Sequence, residues 1–150
     1  MIKNILVPID GSEHSVRAVS YALDLAEKYS ADIKLLSVAQ PVVATGSMFL
    51  TQPILPPAST AIYVKEIEAA HEKILAETLR KAKESKPNIN ISKQLVNGRP
   101  ADKIVKIVND GNFDLIVMGS RGSGGIKEIF LGSVSDRVAD EARCPVLLVK

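Results

Sequence analysis

The feature that most constrains the fold of this 150-residue chain is an alternation of short aliphatic runs with longer amphipathic segments. The first run is almost continuously aliphatic, which is typical of a strand buried on both faces. Such runs predict five strands, at residues 2–9, 32–38, 89–96, 113–118 and 146–149. Between them, apolar side chains at helical spacing predict four helices, at residues 13–29, 60–85, 101–109 and from Ser133 to just before Cys144.

This alternation predicts an α/β protein with an open, five-stranded parallel sheet and helices on both faces, a Rossmann-like architecture. Because crossovers between parallel strands are right-handed, we expect the strand order 3-2-1-4-5, with strand three near an edge. The length suits a single domain over residues 1–150, and the sequence contains no internal repeat.

One segment, residues 40–60, interrupts the alternation. It carries prolines at positions 41, 53, 56 and 57 together with several large apolar side chains. Connections of this length are usually functional or disordered, and the apolar content favours a function. We therefore expect a long flexible loop or lid.

Composition excludes several classes of function. The net charge of +2 and the absence of a basic run argue against nucleic-acid binding, and an aromatic content of 4% argues against base-stacking surfaces. A single cysteine, Cys144, allows no intramolecular disulfide and is expected to be a buried structural thiol. No apolar run is long enough to span a membrane, and the N-terminal run is too short for a signal peptide. These features predict a cytoplasmic protein.

Two glycine- and serine-rich loops carry the chemistry that the sequence suggests. Gly119, Arg121 and Gly122 follow predicted strand four, and Gly132 and Ser133 begin the last helix. Loops of this kind hold phosphate because glycine lets the backbone N–H groups approach the oxygens and the helix N-terminus adds partial positive charge. Strands one and four are neighbours at the switch point of the expected topology, where α/β proteins bind ligands. The sequence therefore predicts a nucleotide site there.

The individual polar residues leave alternatives open. Asp10, directly after strand one, either accepts hydrogen bonds from ribose hydroxyls or only orders the turn. Arg121 either binds phosphate oxygens or points to solvent. His14 is expected to be solvated or near the ligand. His71, on the apolar face of its helix, is expected to be a packed or interface-edge residue and not a ligand-binding one. The sequence has neither a Walker-type phosphate loop nor a Gly-x-Gly-x-x-Gly after strand one, and no Ser/His/Asp set or zinc-type cluster can be assigned.

At this level of detail the chain resembles the universal stress protein family over essentially its whole length. A glycine pattern matches the ATP-binding branch of that family. It consists of Gly119, Gly122, Gly132 and Ser133, with two residues between the first two glycines and nine between the next two. The resemblance implies a fold like that of the adenine nucleotide alpha hydrolases. The segments that carry it are residues 5–12, 97–101, 114–122, 131–134 and 144–149.

The resemblance also implies a set of site residues. Asp10 would contact the ribose, and the backbone of Val38 would meet adenine near Pro8. Gly119, Gly122, Gly132 and Ser133 would hold the phosphates. The same pocket would be lined by Met118, Arg121, Val134 and Ser135.

The resemblance implies partners as well. ATP would bring Mg²⁺ or Mn²⁺ on its phosphates, because the loops offer no carboxylate pair for a dedicated metal site. A homodimer would form through the last strand, Val146–Val149, whose edge is otherwise unpaired.

Two classes of function remain after the sequence is read. The first is a cytoplasmic ATP-binding stress-response regulator, in which the bound nucleotide favours one of two states. The second is an enzyme, a slow ATPase or phosphoryl-transfer protein, for which the sequence offers hydroxyls, Arg121 and Lys127 but no evident base. A sensor of AMP or a cyclic nucleotide would use the same pocket.

Overall fold

The computed structural model describes residues 1–40, 57–122 and 131–150, and the side chains of helix α2 from Thr60 onward. The strands are β1 (Asn4–Pro8), β2 (Asp32–Ala39), β3 (Ile91–Asn97), β4 (Leu115–Gly119) and β5 (Val146–Val149). The helices are α1 (Glu13–Tyr29), α2 (Pro57–Ser85), α3 (Pro100–Asp110) and α4 (Ser133–Glu141).

The sheet has the predicted topology. Its strand order is β3-β2-β1-β4-β5, and every pair of neighbouring strands is parallel. The predicted α/β class and strand order are therefore confirmed. β3 lies at one edge and β5 at the other, while β1 and β4 pair at the centre, where the direction of strand addition reverses.

Two hydrophobic layers flank the sheet because successive side chains of a strand point to opposite faces. Ile5 and Val7 of β1 pack in the layer that contains α1 and α2, together with Leu75. Leu6 packs in the other layer, which contains residues of α3 and α4 such as Ile104 and Val138. All of these side chains except Ile104 are fully buried, and Ile104 is nearly so, which explains why the first strand is aliphatic on both faces.

The ends of the elements differ from the predicted ends by a few residues. α2 begins at Pro57 rather than at residue 60, and most of the expected loop or lid, residues 41–56, lies outside the described residues. β4 begins at Leu115 rather than at residue 113. Its neighbour β1 begins at Asn4, and the carbonyl of Asn4 accepts the first hydrogen bond between the two strands, from the N–H of Asp114 at 2.9 Å. Among the described helices, none is long and apolar enough to cross a membrane.

Candidate functional site

A cavity of about 880 Å³ opens at the carboxyl ends of β1 and β4. This is within the size range of small-molecule sites, about 300–1,000 Å³. All eleven residues that the sequence singled out for a binding site line it. They are Pro8, Asp10, Val38, Met118, Gly119, Arg121, Gly122, Gly132, Ser133, Val134 and Ser135.

The loop after β4 is joined directly to the start of α4. The carbonyl of Ser120 accepts hydrogen bonds from the N–H of Gly132 and from the hydroxyl of Ser135, each at 2.8 Å. Ser120 and Ser135 are each 2% exposed, so the connection is shielded from water. These bonds hold the two glycine- and serine-rich loops side by side on one wall of the cavity.

The N-terminus of α4 has an unusual cap. The spacing of residues 133–136 resembles a capping box that would begin at Ser133, but the N-cap is Gly132, and no side chain of the described residues caps the helix. The hydroxyl of Ser135, in the first turn, donates to the carbonyls of Ser120 and Gly132. The first N–H groups of α4 therefore lie at the cavity without a side-chain partner in the described ranges, as an anion-binding helix terminus requires.

Close packing around two glycines forms the floor of the cavity. A Cβ atom at Gly119 would lie 2.8 Å from Cβ of His14 and 2.9 Å from its backbone carbonyl carbon. A Cβ atom at Gly122 would lie 2.8 Å from Oδ2 of Asp10. β4 thus ends in close contact with the first turn of α1, and the loop after β4 packs against the side chain of Asp10.

Asp10 orders the turn after β1 and also lines the cavity. Its Oδ1 accepts a hydrogen bond from the N–H of Ser12 at 3.0 Å, which orders the turn before α1. The same side chain lines the cavity, and its Oδ2 faces Gly122. A carboxylate held by the turn in this way is a pre-oriented hydrogen-bond acceptor.

Part of the cavity lining, here called the apolar end, belongs to the hydrophobic layer that contains α3 and α4. Leu36 and Val38 of β2, Ile104 of α3 and Met118 of β4 line it, and each is at most 8% exposed. Four further lining residues are not among those predicted from the sequence: Leu36, Ile104, Gln40 and Pro100. Two of these had a usable signal, because Gln40 directly follows a strand and Pro100 opens a helix after one.

The two histidines occupy different places. His71 lines the cavity, although the sequence analysis expected only a packed residue, and its Nδ1 lies 2.8 Å from the hydroxyl of buried Ser37. His14 does not belong to the described lining, and its Nδ1 lies 3.3 Å from the hydroxyl of Ser120. Lys127 lies outside the described residues.

The charges of the described lining are unevenly distributed. Arg121 is its one permanent cation, and Asp10 and Asp136 are its carboxylates. Across the described ranges, no group of three or more His, Cys, Asp or Glu side chains is placed to hold a metal ion. The wall therefore combines one guanidinium with the positive end of α4, and offers no metal site of its own within these ranges.

The fold and the cavity together define a Rossmann-like α/β protein with a ligand-sized crevice at its topological switch point. The family model that describes the universal stress proteins matches this chain over residues 1–150. The chain is 36% identical over 152 residues to universal stress protein YxiE of Bacillus subtilis, covering 100% of both chains. It is 37% identical over 150 residues to a universal stress protein of Thermus aquaticus, again with 100% of both covered. The chain belongs to the universal stress protein family.

Solved structures of this family share the fold. Universal stress protein UspA from Lactobacillus plantarum superposes with a TM-score of 0.82 at 22% identity, covering 99% of this chain and 98% of that one. A universal stress protein in complex with cAMP has a TM-score of 0.71 at 24% identity, covering 99% and 97%. One from Archaeoglobus fulgidus in complex with dAMP has a TM-score of 0.59 at 18% identity, covering 100% and 98%.

Proposed function

We propose that this protein belongs to the ATP-binding branch of its family and acts as a cytoplasmic stress-response regulator whose state depends on bound ATP. The observation that carries the proposal is the joined wall of the cavity. There the glycine loop after β4 and the N-terminus of α4 are held side by side through Ser120. Both are backbone structures that bind phosphate oxygens.

The rest of the cavity suits the rest of the nucleotide. Asp10, held by the turn after β1, would accept hydrogen bonds from the ribose. The apolar end, with Val38 and Met118, would take the base, beside Pro8. Arg121 would supply a fork of donors to the phosphates beyond Gly119 and Gly122. Gly132, Ser133, Val134 and Ser135 would complete the phosphate wall.

A divalent cation, Mg²⁺ or Mn²⁺, would enter with the phosphates. The described residues present two separate carboxylates at the cavity, Asp10 and Asp136, rather than a cluster of three ligands. Mg²⁺ typically binds proteins through one or two carboxylates together with substrate phosphates and water. The cation would offset phosphate charge next to those carboxylates.

A switch is favoured over an enzyme by the composition of the phosphate wall. Phosphoryl transfer needs a group that orients or deprotonates the nucleophile. The described residues of that wall supply hydroxyls, backbone N–H groups and Arg121, whereas the cavity's histidine, His71, lies on α2. Bound ATP would act through its different affinities for two states of the protein. We expect any hydrolysis to be slow.

A sensor of AMP or of a cyclic nucleotide is the second candidate function. Two family members of known structure were solved with cAMP and dAMP, which carry a single phosphate. The same cavity would hold such a ligand with part of the phosphate wall unused. Competition between ATP, AMP and cAMP for the purified protein separates the two functions.

The deciding experiment is mass spectrometry of the nucleotide that co-purifies with the native protein, followed by a turnover assay. Intact ATP without turnover supports the regulator, and multiple turnovers that Asp10→Ala abolishes would establish an ATPase instead. Lys81→Ala, an exposed change on the outer surface of α2, is the control, and we expect it to retain the nucleotide. Failure to bind any adenine nucleotide would refute the proposal.

A further inference from the structure

Helix α2 extends past the carboxyl edge of the sheet, the edge at which the cavity opens. Because it connects two parallel strands, it runs opposite to them, from this edge back to the other. His71 lies level with the edge, since its Nδ1 is 2.8 Å from the hydroxyl of Ser37 near the end of β2. Glu68 does so as well, since its carboxylate accepts a hydrogen bond from the side-chain amide of Asn97, the last residue of β3. Residues 60–67, here called the projecting segment, therefore extend roughly 12 Å beyond the edge, at 1.5 Å a residue.

The projecting segment has few buried contacts. None of its residues is buried, and Ile62 is 60% exposed. On the C-terminal side of His71 the same helix is held in the core, where Leu75 and Ala82 are buried. Helical turns that bury little apolar surface open at a lower free energy than turns packed in a core. The two parts of α2 therefore differ in how firmly the fold holds them.

α2 meets the cavity where these two parts join. Among the described residues of the helix, His71 alone belongs to the lining, and it contacts the fully buried Ser37. Ile74 packs against the turn after β1, because a Cβ atom at Gly11 would lie 3.0 Å from its Cδ1. Gly11 directly follows Asp10, which also lines the cavity. A ligand in the cavity would therefore contact α2 through His71 and press on it through the turn that carries Asp10.

We infer that the projecting segment is the part of the protein whose order depends on bound nucleotide, and that His71 couples the two. The inference rests on the proposed function and deepens it, because it names the element that distinguishes the loaded state from the empty one. A helical turn forms readily only next to a turn that is already fixed. A nucleotide that fixes His71 stabilises the turns before it, and without nucleotide those turns open more often. By reciprocity, their opening weakens nucleotide binding.

Hydrogen–deuterium exchange of the full-length protein, followed by mass spectrometry with and without saturating ATP and Mg²⁺, tests this. In the nucleotide-free protein, the hydrogen-bonded amides of the projecting segment are expected to exchange at least about tenfold faster than those of residues 75–82. ATP is expected to slow them at least about tenfold, since a ligand slows a local opening only where that opening breaks its contacts. Equal exchange in the two parts of the helix, or no response of the projecting segment to ATP, overturns the inference.

His71→Ala tests the coupling, because it removes the one described side chain of α2 that lines the cavity. The variant is expected to bind ATP in calorimetric titrations. Exchange of its projecting segment is expected to differ by less than about twofold with and without ATP. Lys73→Ala, an exposed change on the same helix, is the control and is expected to keep the response of the wild type. An undiminished response in His71→Ala contradicts the role of this side chain and overturns the inference.

The outcomes separate the two proposals. A wild type that binds ATP without a response in the projecting segment overturns the inference and leaves the proposed function intact. A wild type that does not bind ATP in the calorimeter overturns the proposed function and this inference with it. The measurement on the wild type does not depend on how the variant folds.

Discussion

At the scale of single residues, Gly119 and Gly122 serve the cavity in different ways. A side chain at Gly119 would meet the backbone of α1, at His14 and Ser15, within 2.9–3.0 Å. A side chain at Gly122 would meet only the end of another side chain, Oδ2 of Asp10. Backbone packed in a helix cannot move aside, whereas a carboxylate can rotate. Gly119 is therefore needed because a larger residue would clash with α1. Gly122 is needed because a larger residue would displace the carboxylate of Asp10.

This difference predicts opposite phenotypes for two matched alanine variants. Gly119→Ala is expected to lower the free energy of unfolding by about 1–3 kcal/mol, the usual cost of overpacking. Gly122→Ala is expected to change it by less than about 0.5 kcal/mol but to weaken ATP binding, because it displaces the carboxylate of Asp10. Urea denaturation and ATP titration of both variants check this. A Gly122→Ala protein with the larger loss of stability would contradict it.

Asp114 is a second residue whose contacts make a prediction, this time for acid stability. Its Oδ2 accepts hydrogen bonds from the backbone N–H groups of Lys3 at 2.8 Å and Asn4 at 2.9 Å, and these bonds lower the pKa of the carboxyl below its ordinary 3.8. A lowered folded-state pKa stabilises the fold above the unfolded pKa, and the contribution is lost as the pH falls through the folded pKa.

We therefore expect Asp114→Asn to be less stable than the wild type at neutral pH. The difference should shrink as the pH falls below 3.8 and the wild-type carboxylate, with its lowered pKa, takes up a proton. Thermal unfolding followed by circular dichroism across this range is the measurement. Asp140→Asn, an exposed carboxylate on α4, is the control and should show no such convergence. A constant difference at every pH would show that the charge of Asp114 does not matter.

At the scale of elements, the N-termini of α1 and α4 are built differently. The hydroxyl of Ser12 accepts from the N–H of Ser15 at 3.2 Å, so α1 has a side-chain cap. α4 begins after Gly132 with no side-chain cap from the described residues. A cap satisfies the first N–H groups of a helix, whereas an uncapped terminus leaves them for a ligand. α1 therefore begins with a capped terminus, whereas the terminus of α4 leaves its first N–H groups available at the cavity.

The capped terminus gives a prediction about stability. Ser12→Ala removes the acceptor for the N–H of Ser15 and is expected to lower the free energy of unfolding by about 1 kcal/mol. Ser20→Ala, an exposed serine in the middle of the same helix, should be neutral or slightly stabilising because alanine has the higher helix propensity. Equal effects of the two changes in urea denaturation would mean that the cap contributes nothing.

At the scale of the whole molecule, β5 is an edge strand of the sheet, and one side of its backbone is unpaired among the described residues. Leu147 on this strand is 37% exposed, while Val149 is buried at 6%. An exposed strand edge with aliphatic side chains is a surface on which a second copy can add its own β5 by a two-fold axis. This is the homodimer that the sequence analysis expected, and it remains a proposal.

If β5 forms the dimer interface, a charged side chain on this strand is expected to convert the dimer to a monomer. Wild-type protein at micromolar concentration is expected to elute as a dimer in size exclusion with light scattering, and Leu147→Asp as a monomer. Tyr21→Asp, which alters another exposed apolar side chain, 56% exposed on α1, should stay dimeric. A monomeric wild type would remove the role proposed for β5.

The elements and their order could be predicted from the sequence because local chemistry decides them. An aliphatic run such as that around Leu6 has to be buried on both faces, and right-handed crossovers then leave few possible strand orders. The same rule put Asp10 and Gly119 at one crevice, because both follow strands that end at the same edge. Pro8, Val38, Met118 and Val134, which only the family resemblance implied, line the same cavity.

What the tertiary structure alone decided is how the helices close over that crevice. The rotation of α2 sets His71 against Ser37, and the packing of α3 brings Ile104 to the apolar end. The N–H of Gly132 bonds to the carbonyl of Ser120, and Gly132, which has no side chain, is the N-cap of α4. Each depends on contacts between residues far apart in the chain. Periodicity and spacing therefore determined which segments meet at the site, and long-range packing determined which side chains of those segments face it.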